Sequence, residues 1–185
     1  MSVPVSSSLT FTGVGIHNVI ASQCTVTEAF DPKTSAPPQS FKLVTAVWDT
    51  GATGSVICQE VVDALGLQPT GQTIVHGVNS TDISSTFLIN VQLPNTVHFT
   101  AITVTLGKFN GFHMLIGMDI INRGDFVITN KGGITMFSFR CPSMHHVDYV
   151  AQHNAEVAKN AMGHGSSTDQ RKAKPPKTHG KRKKK

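Results

Sequence analysis

An acidic residue lies where the sequence changes from an apolar strand to a run of small residues. In "TAVWDTGATGSVI" (45–57), Asp49 follows the apolar segment and precedes Thr50 and Gly51. Glycine lets the backbone turn tightly, and a threonine hydroxyl can support the loop by hydrogen bonding to nearby backbone. One carboxylate is a poor catalyst of amide hydrolysis, whereas two that share a proton supply a base and an acid to the same water. The segment therefore indicates either half of a catalytic pair or an ordinary turn stabilised by Asp and Thr.

The flanking residues predict elements that would position Asp49 at the end of a strand. "FKLVTAVW" (41–48) alternates apolar and polar residues, as a half-buried strand does. In "SVICQEVVDALGLQP", apolar residues recur at helical spacing as far as Gly66, which predicts a short helix near 58–65. Trp48 immediately precedes the acid, so in a regular strand its side chain would point to the opposite face and into the core.

The remaining sequence up to about residue 140 reads as strands and turns. It predicts one or two strands over 9–30, a proline-rich loop over 31–40, a hairpin over 71–95, a strand over 97–107 and a final hairpin over 125–139. "HMLIGMDIINRG" (113–124) predicts an apolar strand, a glycine and a short helix that Asp119 could cap. Residues 1–140 are therefore expected to form one mainly β domain with one or two short helices.

The sequence beyond this domain changes character twice. Residues 141–162 predict a weakly helical extension, and residues 163–185 a disordered basic tail. The last fifteen residues hold nine of the sixteen Lys and Arg and no acid, which leaves seven basic against eleven acidic residues in 1–170, a formal charge of −4. Nine cations attract polyanions in a salt-dependent manner, but no aromatic residues interleave with them. We expect nonspecific binding, and specific docking to a nucleic acid or an anionic surface remains an alternative.

Composition argues against several other classes of protein. The three cysteines (Cys24, Cys58 and Cys141) are odd in number and widely spaced. This pattern favours free thiols in a reducing, cytoplasmic location over a framework of disulfides. No apolar run approaches the ~18 residues of a membrane helix, and the N-terminal residues lack the pattern of a signal peptide. The histidines of the C-terminal third (His145, His146, His153 and His164) match no compact ligand spacing, so neither a metal site nor a cofactor is expected.

Two further segments give the Asp49 motif a family context. With "TIVHGVNST" (73–81) and "MLIGMDIINRGDFVITN" (114–130), the chain resembles the retropepsins, the retroviral-type aspartic proteases. It looks most like their single-domain bacterial and phage relatives and the DNA-damage-inducible type. The second marker of the family, two apolar residues before a glycine, corresponds to Leu115-Ile116-Gly117. The resemblance covers about residues 9–140 and implies a half-barrel of the acid protease fold.

The resemblance also implies a function and the residues that perform it. Because the sequence contains one Asp-Thr-Gly, a homodimer would bring two copies of Asp49 together on its axis. Asp49 would activate water and protonate the leaving amine, within an active-site loop that includes Thr50, Gly51 and Ala52. A flap would close over an extended polypeptide substrate, and it corresponds to Val75, His76, Gly77, Val78 and Asn79. The implied activity is that of an aspartic endopeptidase.

Two departures from the retroviral pattern leave alternatives open. The flap segment has fewer glycines than retroviral flaps, and Met118-Asp119 stands where the retroviral enzymes carry an arginine. The second departure argues against the salt-bridged viral type of dimer, and the hairpin 125–139 is a candidate for the rest of the interface. The alternative functions are a catalytically weak peptide-binding or scaffold module, and a nucleic-acid-associated protein that acts through its tail.

Overall fold

A computed structural model of the chain describes residues 6–76 and 81–164. The chain divides into two compact units, Met1–His145 and His146–Lys185. In the described residues, the first unit is built mainly of strands and the second contains one helix, α3 (Tyr149–His164). The mainly β fold predicted from the sequence is therefore confirmed.

The elements of the first unit follow the alternating pattern of the sequence. Its strands are β1 (Ser7–Thr12), β2 (Ala21–Glu28), β3 (Lys42–Trp48), β4 (Val56–Cys58), β5 (Gly71–His76), β6 (Thr81–Gln92), β7 (His98–Gly107), β8 (Met114–Ile116), β9 (Asp125–Thr129) and β10 (Met136–Cys141). Its helices are α1 (Gln59–Leu65) and α2 (Met118–Ile121), and Lys131–Gly133 form a 3-10 turn between β9 and β10. None of the helices in the described residues is long and apolar enough to cross a membrane.

The larger sheet holds the core of the unit. Its strand order is β2-β3-β8-β4-β7-β6-β5, and an additional pairing of β2 with β6 closes six of these strands into a barrel. β3 runs parallel to β8, and β4 runs parallel to β7. Because alternate residues of a strand point to one face, Val26, Val44, Ile57 and Val104 all lie buried inside the barrel. β5 stays at the edge of the sheet, outside the barrel.

A smaller antiparallel sheet, with the order β1-β10-β9, packs against the end of β3. Three phenylalanines of its inner face surround Trp48, with ring centroids 5.7 Å (Phe126), 4.9 Å (Phe137) and 5.0 Å (Phe139) away. The indole Nε1 donates a hydrogen bond to Ser22 Oγ at 3.0 Å. The expectation that Trp48 packs in the core is confirmed, and this packing fixes the position from which the next residue, Asp49, projects.

The two short helices show one prediction confirmed and one wrong. α1 ends as predicted at Gly66, whose φ of +64° is the left-handed conformation that glycine adopts readily. Asp119, by contrast, does not cap α2: the cap position is Gly117, and Asp119 lies in the first turn of the helix. A capping side chain must precede the helix, whereas the carboxylate of Asp119 instead accepts a hydrogen bond from Ser55 of another segment.

Candidate active site

The loop that follows β3, residues 49–55, is named the Asp49 loop. The backbone N–H of Asp49 donates to the carbonyl of Ile116 at 2.9 Å, which extends the parallel pairing of β3 and β8 by one residue. The N–H of Gly51 donates to Asp49 Oδ1 at 2.8 Å, and the N–H of Ala52 donates to the Asp49 carbonyl at 3.3 Å. The half-buried carboxylate of Asp49 is therefore oriented by the backbone of its own loop, while Thr50 and Gly51 are exposed.

The second marker lies directly behind the Asp49 loop. Leu115 is half-buried, and Ile116 and Gly117 are buried. A Cβ atom on Gly117 would lie 2.6 Å from both the carbonyl carbon and the oxygen of Gly54, and 3.0 Å from the carbonyl oxygen of Ala52. These distances are too short for any side chain, so the close approach of the two segments requires glycine at position 117.

Two polar side chains that the sequence did not identify as a pair join these segments. Ser55 is 1% exposed, and its hydroxyl donates to Asp119 Oδ1 at 2.8 Å and accepts from the N–H of Gly117 at 3.1 Å. The same carboxylate oxygen accepts from the N–H of Ile120 at 3.0 Å. We name this arrangement the Ser55–Asp119 clamp. The sequence signals were an acid two residues after the marker glycine and a serine at the end of the small-residue run.

Backbone hydrogen bonds run alongside the clamp. The N–H of Met118 donates to the Ala52 carbonyl at 2.8 Å, and the N–H of Asp119 donates to the Thr53 carbonyl at 3.2 Å. Together with the bond from Asp49 to Ile116, they fasten the Asp49 loop to residues 116–119 along its length.

The predicted flap is only partly within the described residues. Val75 is half-buried and His76 exposed, and His76 Nδ1 lies 3.2 Å from Thr81 Oγ1 across the hairpin of β5 and β6. Gly77, Val78 and Asn79 fall outside the described residues. The same hairpin carries a cross-strand pair of exposed isoleucines, Ile74 and Ile83.

Exposed apolar side chains gather on the loop between β1 and β2. The backbone of Gly13 and Gly15 hydrogen-bonds to that of Thr135, and the N–H of His17 donates to Thr135 Oγ1 at 2.9 Å. These bonds group a set of exposed residues that we name the loop patch: Phe11, Val14, Ile16 and Ile134. The loop then reaches Ile20, whose carbonyl accepts from the N–H of Trp48 at 2.9 Å. The loop that carries Val14 and Ile16 is therefore hydrogen-bonded, through Ile20, to the residue that precedes Asp49.

The cysteines and possible metal ligands lie apart from this site. Within the described residues, no group of three or more His, Cys, Asp or Glu side chains could hold a metal ion. Cys24, Cys58 and Cys141 are free thiols. Burial raises the pKa of Cys24 to about 12, so this thiol stays protonated at neutral pH.

Comparison with known proteins supports the resemblance over part of the chain. Residues 42–123 match the model of the family described as "gag-polyprotein putative aspartyl protease". This segment contains the Asp49 loop, the flap hairpin, the second marker and the Ser55–Asp119 clamp. No curated protein matches the chain.

Solved structures with a similar course of the chain include two of the retropepsin type. One is a retropepsin-like aspartic protease from Rickettsia conorii, with 12% sequence identity, a TM-score of 0.44, and coverage of 76% of this chain and 99% of that chain. The other is the retroviral protease-like domain of Ddi1 from Leishmania major, with 16% identity, a TM-score of 0.39, and coverage of 60% and 82%. The family match confirms, over residues 42–123, the resemblance to retroviral-type aspartic proteases that was read from the sequence.

Proposed function

We propose that the protein is an aspartic endopeptidase that acts as a homodimer on extended polypeptides. The observation that supports this most directly is the geometry of the Asp49 loop. A half-buried carboxylate projects from the end of β3, is oriented by the N–H of Gly51, and is backed by the family's second marker. The sequence holds one Asp-Thr-Gly, so the second carboxylate must come from a second copy.

The chemistry follows from two carboxylates that share one proton. In such a pair, one carboxylate is the base and the other, which carries the shared proton, is the acid. The ionised Asp49 takes a proton from water as the water oxygen attacks the peptide carbonyl, and the protonated one donates to the carbonyl oxygen. The C–N bond then breaks as a proton passes to the leaving amine, which yields a carboxylic acid and an amine.

The loop patch favours a second copy as the partner. Large exposed apolar patches commonly mark interaction sites, and the loop patch supplies several exposed apolar side chains. Val14 is fully exposed and Ile16 is 58% exposed, on the loop that reaches the base of the Asp49 loop. A two-fold axis that brings two Asp49 side chains together would bring two copies of a neighbouring surface together as well.

The hairpin of β5 and β6 favours an extended, partly apolar substrate. β5 is an edge strand, so its outer backbone groups are available for pairing with an extended peptide. Ile74 and Ile83 add exposed apolar side chains to this hairpin. We therefore expect cleavage next to apolar residues in unfolded or extended segments.

The decisive variant is Asp49→Asn, which keeps the shape of the loop but removes the ionisable group. Cleavage of a peptide library, measured from acidic to neutral pH, should fall roughly 10³-fold or more. Asp63→Asn is a matched control, because Asp63 is an exposed carboxylate on α1 that accepts a hydrogen bond from Gln59 Nε2, one turn earlier in the same helix. Undiminished cleavage by Asp49→Asn would contradict the mechanism. A wild-type protein that binds the peptides as a monomer and leaves them intact would be a peptide-binding module instead.

Other features of the chain enter the proposal less directly. The basic tail (171–185) lies outside the described residues, and we propose that it binds polyanions without sequence preference. Removing it should leave peptide cleavage intact. We also propose that the protein is cytoplasmic and that its protease-like domain ends near residue 140 and its helical extension near residue 162.

A further inference from the structure

We propose that Ser55 and Asp119 are positioning residues that hold the Asp49 loop in the geometry its paired carboxylates require. The inference rests on the proposed function, because it concerns the same site. Neither residue touches the reacting atoms in this assignment. Their role is exerted through the backbone of the Asp49 loop and of residues 116–119.

The buried hydroxyl of Ser55 is used both as donor and as acceptor. It donates to Asp119 Oδ1 at 2.8 Å and accepts from the N–H of Gly117 at 3.1 Å, from a side chain that is 1% exposed. Buried polar groups in proteins are almost always hydrogen-bonded. An alanine at position 55 would therefore leave the N–H of Gly117 without its acceptor and would remove one of the donors to Asp119 Oδ1.

The carboxylate of Asp119 joins the clamp to the helix behind the site. Asp119 Oδ1 accepts from both Ser55 Oγ and the N–H of Ile120, while its own N–H donates to the carbonyl of Thr53. A charged side chain, that of Arg123, contacts the backbone of Asp119: its Nε donates a hydrogen bond to the Asp119 carbonyl at 3.0 Å. Because the side-chain contacts need an acceptor oxygen rather than a charge, an asparagine oxygen could replace it.

The geometry of the Asp49 loop matters because the sharing of one proton depends steeply on the distance between the two carboxylates. Two carboxylates about 3 Å apart titrate in well-separated steps, and only the singly protonated pair has a base and an acid ready together. Misplacement of a reacting group by about 1 Å can cost roughly 100-fold in rate. A loosened Asp49 loop would let the two carboxylates move apart, so the separation between their titration steps would shrink.

The test compares Ser55→Ala and Asp119→Ala with the conservative variant Asp119→Asn in the full-length protein. We expect kcat to fall about 10- to 100-fold in both alanine variants with KM within about twofold, because substrate contacts are left in place. The bell-shaped pH profile of kcat/KM should become narrower in both alanine variants, because its width is set by the separation of the two proton-loss steps of the carboxylate pair. Asp119→Asn should restore most of kcat and the width.

Asn90→Ala is the matched control for loss of a buried bridging side chain. Asn90 is buried, donates from Nδ2 to the carbonyl of Phe30 at 2.7 Å, and accepts from the N–H of Ala101 at 2.8 Å. It resembles Ser55 in linking two segments, but it lies on β6, on a part of the sheet that does not touch the Asp49 loop. We expect this variant to be less stable yet to keep the wild-type shape of the pH profile.

A second measurement separates this inference from the proposed function. Amide hydrogen exchange at Gly51 and Ala52 should speed up about 10-fold or more in Ser55→Ala and Asp119→Ala, and should change little in Asp119→Asn and Asn90→Ala. This readout needs no peptide cleavage, so it decides the role of the clamp even if the wild-type protein proves inactive. Unchanged exchange in both alanine variants would overturn the inference, and so would an unchanged pH profile in an active protein. A profile narrowed equally in Asn90→Ala would also overturn it.

Discussion

At the scale of single residues, the site depends on a close approach between Gly117 and the Asp49 loop. Main-chain atoms of Gly54 and Ala52 occupy the space that a side chain at position 117 would need. Neither of these neighbours can move without shifting the loop, because Ala52 is bonded on both sides, to Asp49 and to Met118. The position of the carboxylate therefore depends on the absence of one methyl group.

The first prediction is that Gly117→Ala destabilises the fold and impairs cleavage together. Forcing a methyl group into this contact should lower the free energy of unfolding by about 1–3 kcal/mol, as measured from the midpoint of urea denaturation. Gly54→Ala is the matched control, because a Cβ at that position meets nothing within 4 Å. Equal stability of the two variants would show that the segments are not packed as described.

Single residues also show what sequence reasoning can and cannot find. The position of Asp49 at the end of a strand could be predicted from its immediate neighbours, an apolar segment before it and Thr-Gly after it. The pairing of Ser55 with Asp119 could not be predicted, since the two residues are 64 positions apart. Asp119 was interpreted as a cap because local sequence reveals a helix start but not a distant hydroxyl that binds the same carboxylate.

At the scale of elements, β9 and β10 are joined by a cluster of hydrogen bonds around the carboxylate of Asp125. Asp125 at the start of β9 forms an ion pair with Arg140 of β10, and it also accepts from Ser143 Oγ and from the N–H of Met144 at 3.1 Å. The Ser143 hydroxyl, followed by the Arg140 guanidinium, holds the pKa of Asp125 well below its usual range. The carboxylate thereby connects the hairpin to the residues that follow it.

The second prediction concerns the pH dependence of this cluster. A lowered pKa in the folded state stabilises the protein above the unfolded value of about 3.9, and this contribution is lost as the pH falls through the lowered value. Asp125→Asn should therefore be less stable than the wild type at pH 7, and the difference should shrink steadily below about pH 4. Urea denaturation at pH 7, 4 and 2 would measure it.

Ser143→Ala provides the graded comparison for the same cluster. Without its main hydrogen-bond donor, the pKa of Asp125 should rise towards the ordinary value. The stability that this carboxylate contributes at pH 7 should therefore be smaller than in the wild type, and its loss on acidification should be complete at a higher pH. A difference between wild type and Asp125→Asn that stayed constant from pH 7 to pH 2 would contradict the ionic origin of the contribution.

The elements themselves were largely predictable, whereas their partners were not. Alternation identified β3 and β7, and helical spacing up to Gly66 identified α1. The parallel pairing of β3 with β8 and the closure of the barrel by β2 and β6 could not be read from the sequence. A local pattern gives the period of an element and its buried face, but strand partners far apart in sequence are chosen by packing.

At the scale of the whole molecule, the loop patch is the surface through which we propose that two copies associate. Its apolar side chains are exposed, and two of them, Val14 and Ile16, lie on the loop that leads to the strand before Asp49. If two copies meet here, a charge placed on this surface will be repeated across the two-fold axis and will face its own copy.

The third prediction is that Ile16→Asp dissociates the dimer and abolishes cleavage without unfolding the chain. A charge buried opposite its own copy should weaken association roughly 100-fold or more, as measured by sedimentation equilibrium. Leu43→Asp is a matched control, since Leu43 is 61% exposed against 58% for Ile16 but lies at the other end of β3 from Asp49. Retained dimerisation in Ile16→Asp would place the interface elsewhere.

The pairing of β1 with β10 has a consequence for the order in which the protein is made. Ser138 of β10 contacts the carbonyl of Leu9 in β1, 129 positions earlier. At about 5–20 residues per second, the ribosome needs on the order of ten seconds to supply the second strand after the first. Thr135, which organises the loop patch, precedes β10 by one residue, so this surface is completed only when nearly the whole domain has been synthesised. In a nascent chain, Asp49 is therefore synthesised well before the loop patch is completed, so the association that we propose through this surface would follow the translation of nearly the whole domain.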